Sequence, residues 1–199
     1  MNLPNKLTVG RILAIPVIVI VSLIPYLNKH FIFSNLTYAN FINVIIFALA
    51  CCTDFLDGHL ARKHNLVTTF GKFADPLADK MIVLSAFVLL VIQGQQAKLF
   101  GYNIEVLPAW GVIVILLREL MVSGIRLVEA ERGVVIAAGW AGKVKTFVTM
   151  FALVFAFLAG LHNIVAVIAL ILMYASILLT IYSGVEYFWK SRKVIFESV

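Results

Sequence analysis

Charge is what this chain has least of. Asp, Glu, Lys and Arg make up 13% of its 199 residues, about half their usual share of a soluble domain. With 62% apolar residues and a mean hydropathy of +1.02, that scarcity argues against a water-soluble globule. Cysteine is nearly missing as well. Cys51 and Cys52 are adjacent in an apolar run, and neighbouring residues on a helix point in different directions, which argues against a bridge. Without a spaced Cys or His partner, a zinc site has no support. The N-terminus lacks a signal-peptide cleavage pattern, so its first apolar run is expected to stay as a membrane helix. Low-complexity segments, repeats and a separate soluble region are also missing. Residues 1–199 therefore read as a single membrane domain.

What the chain does have is apolar runs close to the roughly 20 residues that cross a bilayer as helix. Six are expected: Ile12–Leu27, Leu36–Leu56, Pro76–Ile92, Leu107–Val128, Val144–Leu161 and Ile164–Trp189. The expected fold is all-α, a polytopic six-transmembrane-helix bundle preceded by a short N-terminal interfacial helix. In that first segment Asn5, Thr8 and Arg11 recur every three residues and share one helical face. The run of Ala152, Ala156 and Gly160 four apart suits close helix packing.

The net charge of +6 comes from basic residues at one set of helix ends, among them Lys6, Arg11, Arg62, Lys72, Arg132, Lys143 and Lys190. Lys29 and Lys98 alone occupy the opposite loops. Such asymmetry marks the cytoplasmic side and contact with anionic lipid rather than nucleic acid. Six crossings put both termini on that side of the cell membrane.

The acidic residues are concentrated. Asp54 and Asp57 are three apart near the end of the second apolar run, and Asp75 and Asp79 are four apart at the start of the third. Either spacing puts both carboxylates on one helical face. Four carboxylates brought together repel one another unless a cation joins them. Oxygen ligands select hard ions such as Mg²⁺ or Mn²⁺. Capping offers a structural role for Asp75, which precedes Pro76, but not for Asp54 and Asp57 at a helix C-terminus, where the dipole opposes anions. Gly58 permits close backbone approach, and the fork of Arg62, one turn on, suits a phosphate.

The spacing Asp-x2-Asp-Gly-x2-Ala-Arg-x8-Gly-x3-Asp-x3-Asp, on Asp54, Asp57, Gly58, Ala61, Arg62, Gly71, Asp75 and Asp79, resembles the signature of the CDP-alcohol phosphotransferase family. The resemblance implies a six-helix membrane fold, usually a homodimer, and a two-metal site that releases CMP. It implies that Asp54, Asp57 and Asp75 hold one ion and that Asp54, Asp75 and Asp79 hold the second. Asp79 is also the implied catalytic base. Gly58, Arg62 and Thr68, with Asn5 and Thr8, are the implied contacts to the CDP-lipid headgroup.

The second half narrows the resemblance. Arg118-Glu119, Arg126, Gly133 with Ile136-Ala137-Ala138, and Gly142-Lys143-Val144-Lys145-Thr146 look like the members whose acceptor is glycerol 3-phosphate and whose donor is CDP-diacylglycerol. Charges inside an apolar helix normally face a polar interior. Adjacent residues do not face each other, so Arg118 and Glu119 are each expected to have another partner. Arg118, Arg126, Lys143 and Lys145 can together hold the acceptor phosphate. Two other readings stand beside this one. The acceptor is another alcohol (phosphatidylglycerol, inositol phosphate or serine), or the carboxylates form the pathway of a divalent-cation transporter. The cluster's place at one membrane face argues against transport.

Overall fold

A computed structural model describes residues 3–63, 69–133 and 139–196, without the side chains of 3–4, 54–63, 69–70, 72–73 and 193–196. Among the described residues there are six helices of 18 or more residues: α1 (Leu3–Leu23), α3 (Tyr38–Lys63), α4 (Thr69–Gln93), α5 (Ala109–Glu131), α6 (Trp140–Phe157) and α7 (Asn163–Phe196). A five-residue helix, α2 (Pro25–Lys29), follows α1. Two small antiparallel hairpins complete the set: β1 (Phe31–Phe33) with β2 (Leu36–Thr37), and β3 (Gln96–Leu99) with β4 (Tyr102–Glu105).

Three of the helices contain segments long and apolar enough to cross a membrane: Asn5–Leu23, Trp140–Phe157 and Asn163–Arg192. Others carry charges that lower their apolar character, such as Arg118 and Glu119 in α5 and Asp75, Asp79 and Lys80 in α4.

The sequence reading needs several corrections. The segment before Ile12 is no separate helix, because α1 runs unbroken from Leu3. The apolar run expected to reach Leu27 ends at Leu23, and Pro25, with no N–H to continue the ladder, opens α2. Helix α4 starts at Thr69, so Pro76 lies inside it and Asp75 is not its cap. The hairpins are β structure that the apolar runs did not announce.

The interior is built from α1, α3, α4, α5, α6 and α7, with Phe47, Phe87 and Phe157 fully buried. Phe47 and Phe157 meet with ring centroids 6.3 Å apart. Ala152 and Ala156 are wholly buried within the chain, so the small-residue stripe of α6 serves internal packing. Large apolar side chains such as Leu13, Leu49, Leu117, Phe147, Ile171 and Leu178 face outward. In water so much exposed apolar surface is a liability; in lipid it is the expected exterior.

Cross-contacts define two ends. At one, Arg11 of α1 meets Asp79 of α4, Lys80 meets Ser123 of α5, Lys145 of α6 meets Glu119 of α5, and Ser191 of α7 meets Glu129. At the other, the Asn35 N–H donates to the Gly160 carbonyl at 3.0 Å, and Asn163 bonds both the N–H and the carbonyl of Lys98.

Candidate active site

The backbone sets the carboxylates on two helices. Asp54 and Asp57 lie inside α3, which runs on to Lys63, and so are not at its C-terminus as the apolar run suggested, and Asp75 and Asp79 lie one turn apart in α4. The side chains of Asp54, Asp57 and Arg62 lie outside the description, as does everything about Thr68 beyond its place in the sequence; for Gly58 the backbone alone is described. Since α4 begins at Thr69, Asp75 is interior to a helix and its carboxylate is free of capping duty.

The N-terminal helix reaches this pair. Thr8 Oγ1 donates to Asp75 Oδ1 at 2.5 Å. Arg11 spans both carboxylates, with Nη2 at 3.4 Å from Asp75 Oδ1 and Nη1 on Asp79 Oδ1. Thr8 and Arg11 are buried, Arg11 to 2% exposure, whereas the two Asp side chains are 42% and 37% exposed. Buried donors thus hold one side of half-open carboxylates. The two half-open carboxylates offer oxygen donors. That chemistry fits a hard divalent cation.

Beside Asp79 opens a cavity of about 520 Å³. Arg118, Arg126, Lys143 and Lys145 all line it, and so does Asp79. The four cations come from α5 and α6, and residues of α4 and α7 close the wall. Lys145 is buried and donates to Glu119 Oε1. Arg118 Nη1 donates to the same oxygen at 2.9 Å, and Nη2 donates to Ser183 Oγ at 3.1 Å. Arg118 and Glu119 therefore do pair, contrary to expectation. Their side chains are long enough to bend to a common point inside the bundle, although their Cβ atoms diverge. Each also has the further partner that was expected, Ser183 for one and Lys145 for the other. Arg118 crosses α7 at Gly184, where an added Cβ would lie 2.9 Å from Arg118 Cγ. The buried Arg118 Nε has no acceptor among the described residues.

The family model for CDP-alcohol phosphatidyltransferase matches residues 1–182. The chain belongs to that family. It is 41% identical over 201 residues to a Bacillus subtilis (strain 168) protein named CDP-diacylglycerol–glycerol-3-phosphate 3-phosphatidyltransferase, across 98% of this chain and 97% of the relative. A Rickettsia felis protein of the same name is 35% identical, across 96% of each chain. A Mycobacterium tuberculosis protein named probable phosphatidylglycerophosphate synthase is 39% identical, across 94% of this chain and 79% of the relative.

Within this CDP-alcohol phosphatidyltransferase, several polar residues stand at the site that sequence reasoning did not place there. Arg11 is one; its spacing with Asn5 and Thr8 was the signal. Lys80 is another; it lines the cavity and donates to Ser123 Oγ at 2.5 Å. Its place directly after Asp79 was the available hint. Glu129 is the third. Only 2% exposed, it accepts from Tyr187 Oη at 2.6 Å and from Ser191 Oγ at 2.5 Å. The Tyr187 ring in turn lies 5.5 Å from the Arg126 guanidinium, a cation–π distance. No sequence signal pairs Glu129 with residues 58 and 62 positions away.

Proposed function

We propose that this enzyme transfers the phosphatidyl group of CDP-diacylglycerol to glycerol 3-phosphate, giving phosphatidylglycerol phosphate and CMP. The observation that carries the proposal is the single cavity lined by Asp79 and six cations, among them Arg118, Arg126, Lys143 and Lys145. A phosphorylated acceptor needs cations for its phosphate and a base for its hydroxyl, within one small molecule's length of each other. The unpartnered Nε of Arg118 adds a donor suited to an anion. Among the described residues, the three carboxylates that line the cavity, Asp79, Glu119 and Glu186, leave an excess of positive charge over its six cations, which favours a phosphorylated acceptor over uncharged or zwitterionic ones.

Asp54, Asp57 and Asp75 would hold one Mg²⁺ or Mn²⁺ ion, and Asp54, Asp75 and Asp79 a second. Bound there, such ions offset the negative charge of the donor pyrophosphate. The protein's own groups do the rest. Arg118, Arg126, Lys143 and Lys145 hold the acceptor phosphate and orient the sn-1 hydroxyl of glycerol 3-phosphate. Asp79 accepts the hydroxyl proton as the oxygen attacks the phosphorus that bears the lipid. The bond from that phosphorus to the bridging oxygen breaks in line, and CMP leaves. Asn5, Gly58, Arg62 and Thr68 would contact the CDP headgroup. Thr8 and Arg11 support the carboxylates from the N-terminal side.

The working assembly in this reading is one domain of six membrane spans in a homodimer. Both termini and the active site face the cytoplasm, and the lipid tails remain in the bilayer during transfer. Purified protein given CDP-diacylglycerol and a panel of acceptors tests the function. Mass spectrometry should find phosphatidylglycerol phosphate with glycerol 3-phosphate and no comparable product with serine, inositol phosphate or phosphatidylglycerol. A preference for one of those others would refute the acceptor.

A further inference from the structure

The end of the bundle away from the aspartates holds a second cavity, of about 590 Å³. Along α4 it lies about 21 Å from Asp79, at about 1.5 Å per residue to Gln93. Its wall comes from three connections: the stretch between α1 and α3, the end of α4, and the turn between α6 and α7. Side-chain amides dominate it, among them Asn28, Asn35, Asn40, Gln93, Gln95 and Asn163. No Asp, Glu, Lys or Arg lines it among the described residues, and His162 is the one ionisable side chain of the lining.

The wall is preformed. Asn35 is tied to Gly160 through the backbone, and an added Cβ at Gly160 would come within 2.4 Å of the Asn35 carbonyl oxygen. Asn163 locks the turn between α6 and α7 to Lys98 with bonds of 2.7 and 2.9 Å. Two residues of this wall also carry unfinished hydrogen bonding. Asn40 is only 2% exposed, and its Oδ1, like the buried Oε1 of Gln93, has no partner among the described residues. A buried amide oxygen without a donor is costly unless something supplies one.

Position narrows the ligand. Phe31, Phe33, Tyr38, Phe100, Tyr102 and Trp110 are exposed at this same end, Phe100 to 91%. Aromatic side chains in such a ring sit at the headgroup level of a bilayer. The cavity therefore opens where lipid headgroups lie. An anionic or cationic group inside it would meet no carboxylate, ammonium or guanidinium, whereas hydroxyl groups both donate and accept and match a wall of amides beside the His162 ring. We propose that this cavity binds the uncharged polyhydroxyl headgroup of a lipid in the leaflet opposite the active site. The inference rests on the membrane reading of the chain and not on the identity of the acceptor.

Native mass spectrometry of the purified protein tests it with three probes of matched acyl chains: digalactosyl diacylglycerol, diacylglycerol and phosphatidylcholine. The galactolipid should be retained at least about tenfold better than the other two. Asn40→Ala and Gln93→Ala should each lower that retention about three- to tenfold, as the loss of one hydrogen bond predicts. Should Asn40→Ala fail to fold, Gln93→Ala at the half-buried end of α4 carries the test. Phosphatidyl transfer, measured on the same preparations, reports folding and bears separately on the catalytic reading. Equal retention of all three lipids, or retention unchanged in Gln93→Ala, would overturn the proposal. So would free galactose binding as tightly as the galactolipid, because the source would then be a soluble sugar.

Discussion

Glu119 is the residue that most changes the picture of the acceptor cavity. A carboxylate among cations proposed to bind phosphate looks misplaced, yet it holds Arg118 and Lys145 at one point. Removing Lys145 would lose a cation and also free part of the Glu119 charge inside an anion site. Lys145→Ala should therefore reduce kcat/KM for the acceptor more than Arg126→Ala does, within about a tenfold to hundredfold range. Adding Glu119→Gln to Lys145→Ala should restore part of the loss in steady-state assays. A double variant worse than the single one would contradict this. Gly184 offers a second test without altering any charge. A Cβ there meets the Arg118 stem, so Gly184→Ala should raise the acceptor KM and leave the donor KM within a few-fold. The four aspartates stand out in the sequence because their spacing is local, and the four cations expected together do line one cavity. Arg11 and Lys80 do not stand out, because what they touch is decided by how α1 and α5 pack against α4.

At the scale of elements, the clamp between α5 and α7 makes the clearest energetic demand. Tyr187 and Ser191, one turn apart on α7, both donate to the buried Glu129 on α5. Hydrogen bonds to charged groups contribute about 1.5 to 3 kcal/mol. Tyr187→Phe keeps the ring under Arg126 but removes one donor, so the unfolding midpoint in detergent should fall by several degrees. Glu129→Gln should cost less than Glu129→Ala, since the amide still accepts a hydrogen bond. An unchanged midpoint in Tyr187→Phe would show that the clamp carries no stability. Apolar runs located the long helices to within a few residues, except where the helix extends past the apolar stretch. Thus α4 begins seven residues before Pro76 and α1 nine before Ile12. Both extensions are polar, and they bring Asp75 and Thr8 into contact. The hairpins at Phe31–Thr37 and Gln96–Glu105 were illegible because such short strands carry little periodic signal.

Across the whole molecule, function follows from a division between two ends. The charged end holds carboxylates and cations; the opposite end holds amides, hairpins and an aromatic rim. In the proposed orientation, a cysteine introduced near Leu3 should resist a membrane-impermeant thiol reagent in intact cells, while one near Lys29 or His162 should react. Cys51 and Cys52 would be replaced beforehand. The reverse pattern would move the active site to the outer face. EDTA should abolish transfer and Mg²⁺ or Mn²⁺ should restore it; full activity in metal-free buffer would remove the metal from the account. The central claim is that the cavity beside Asp79 is the acceptor site. The most direct measurement is the pair of KM values in Arg126→Ala and Lys143→Ala, two exposed cations outside the Arg118–Glu119–Lys145 network, set beside Arg62→Ala. The account predicts that the first two raise the KM for glycerol 3-phosphate about tenfold or more while the KM for CDP-diacylglycerol stays within a few-fold, and that Arg62→Ala shows the opposite bias. Equal effects on both substrates, or undiminished transfer in both cavity variants, would contradict it.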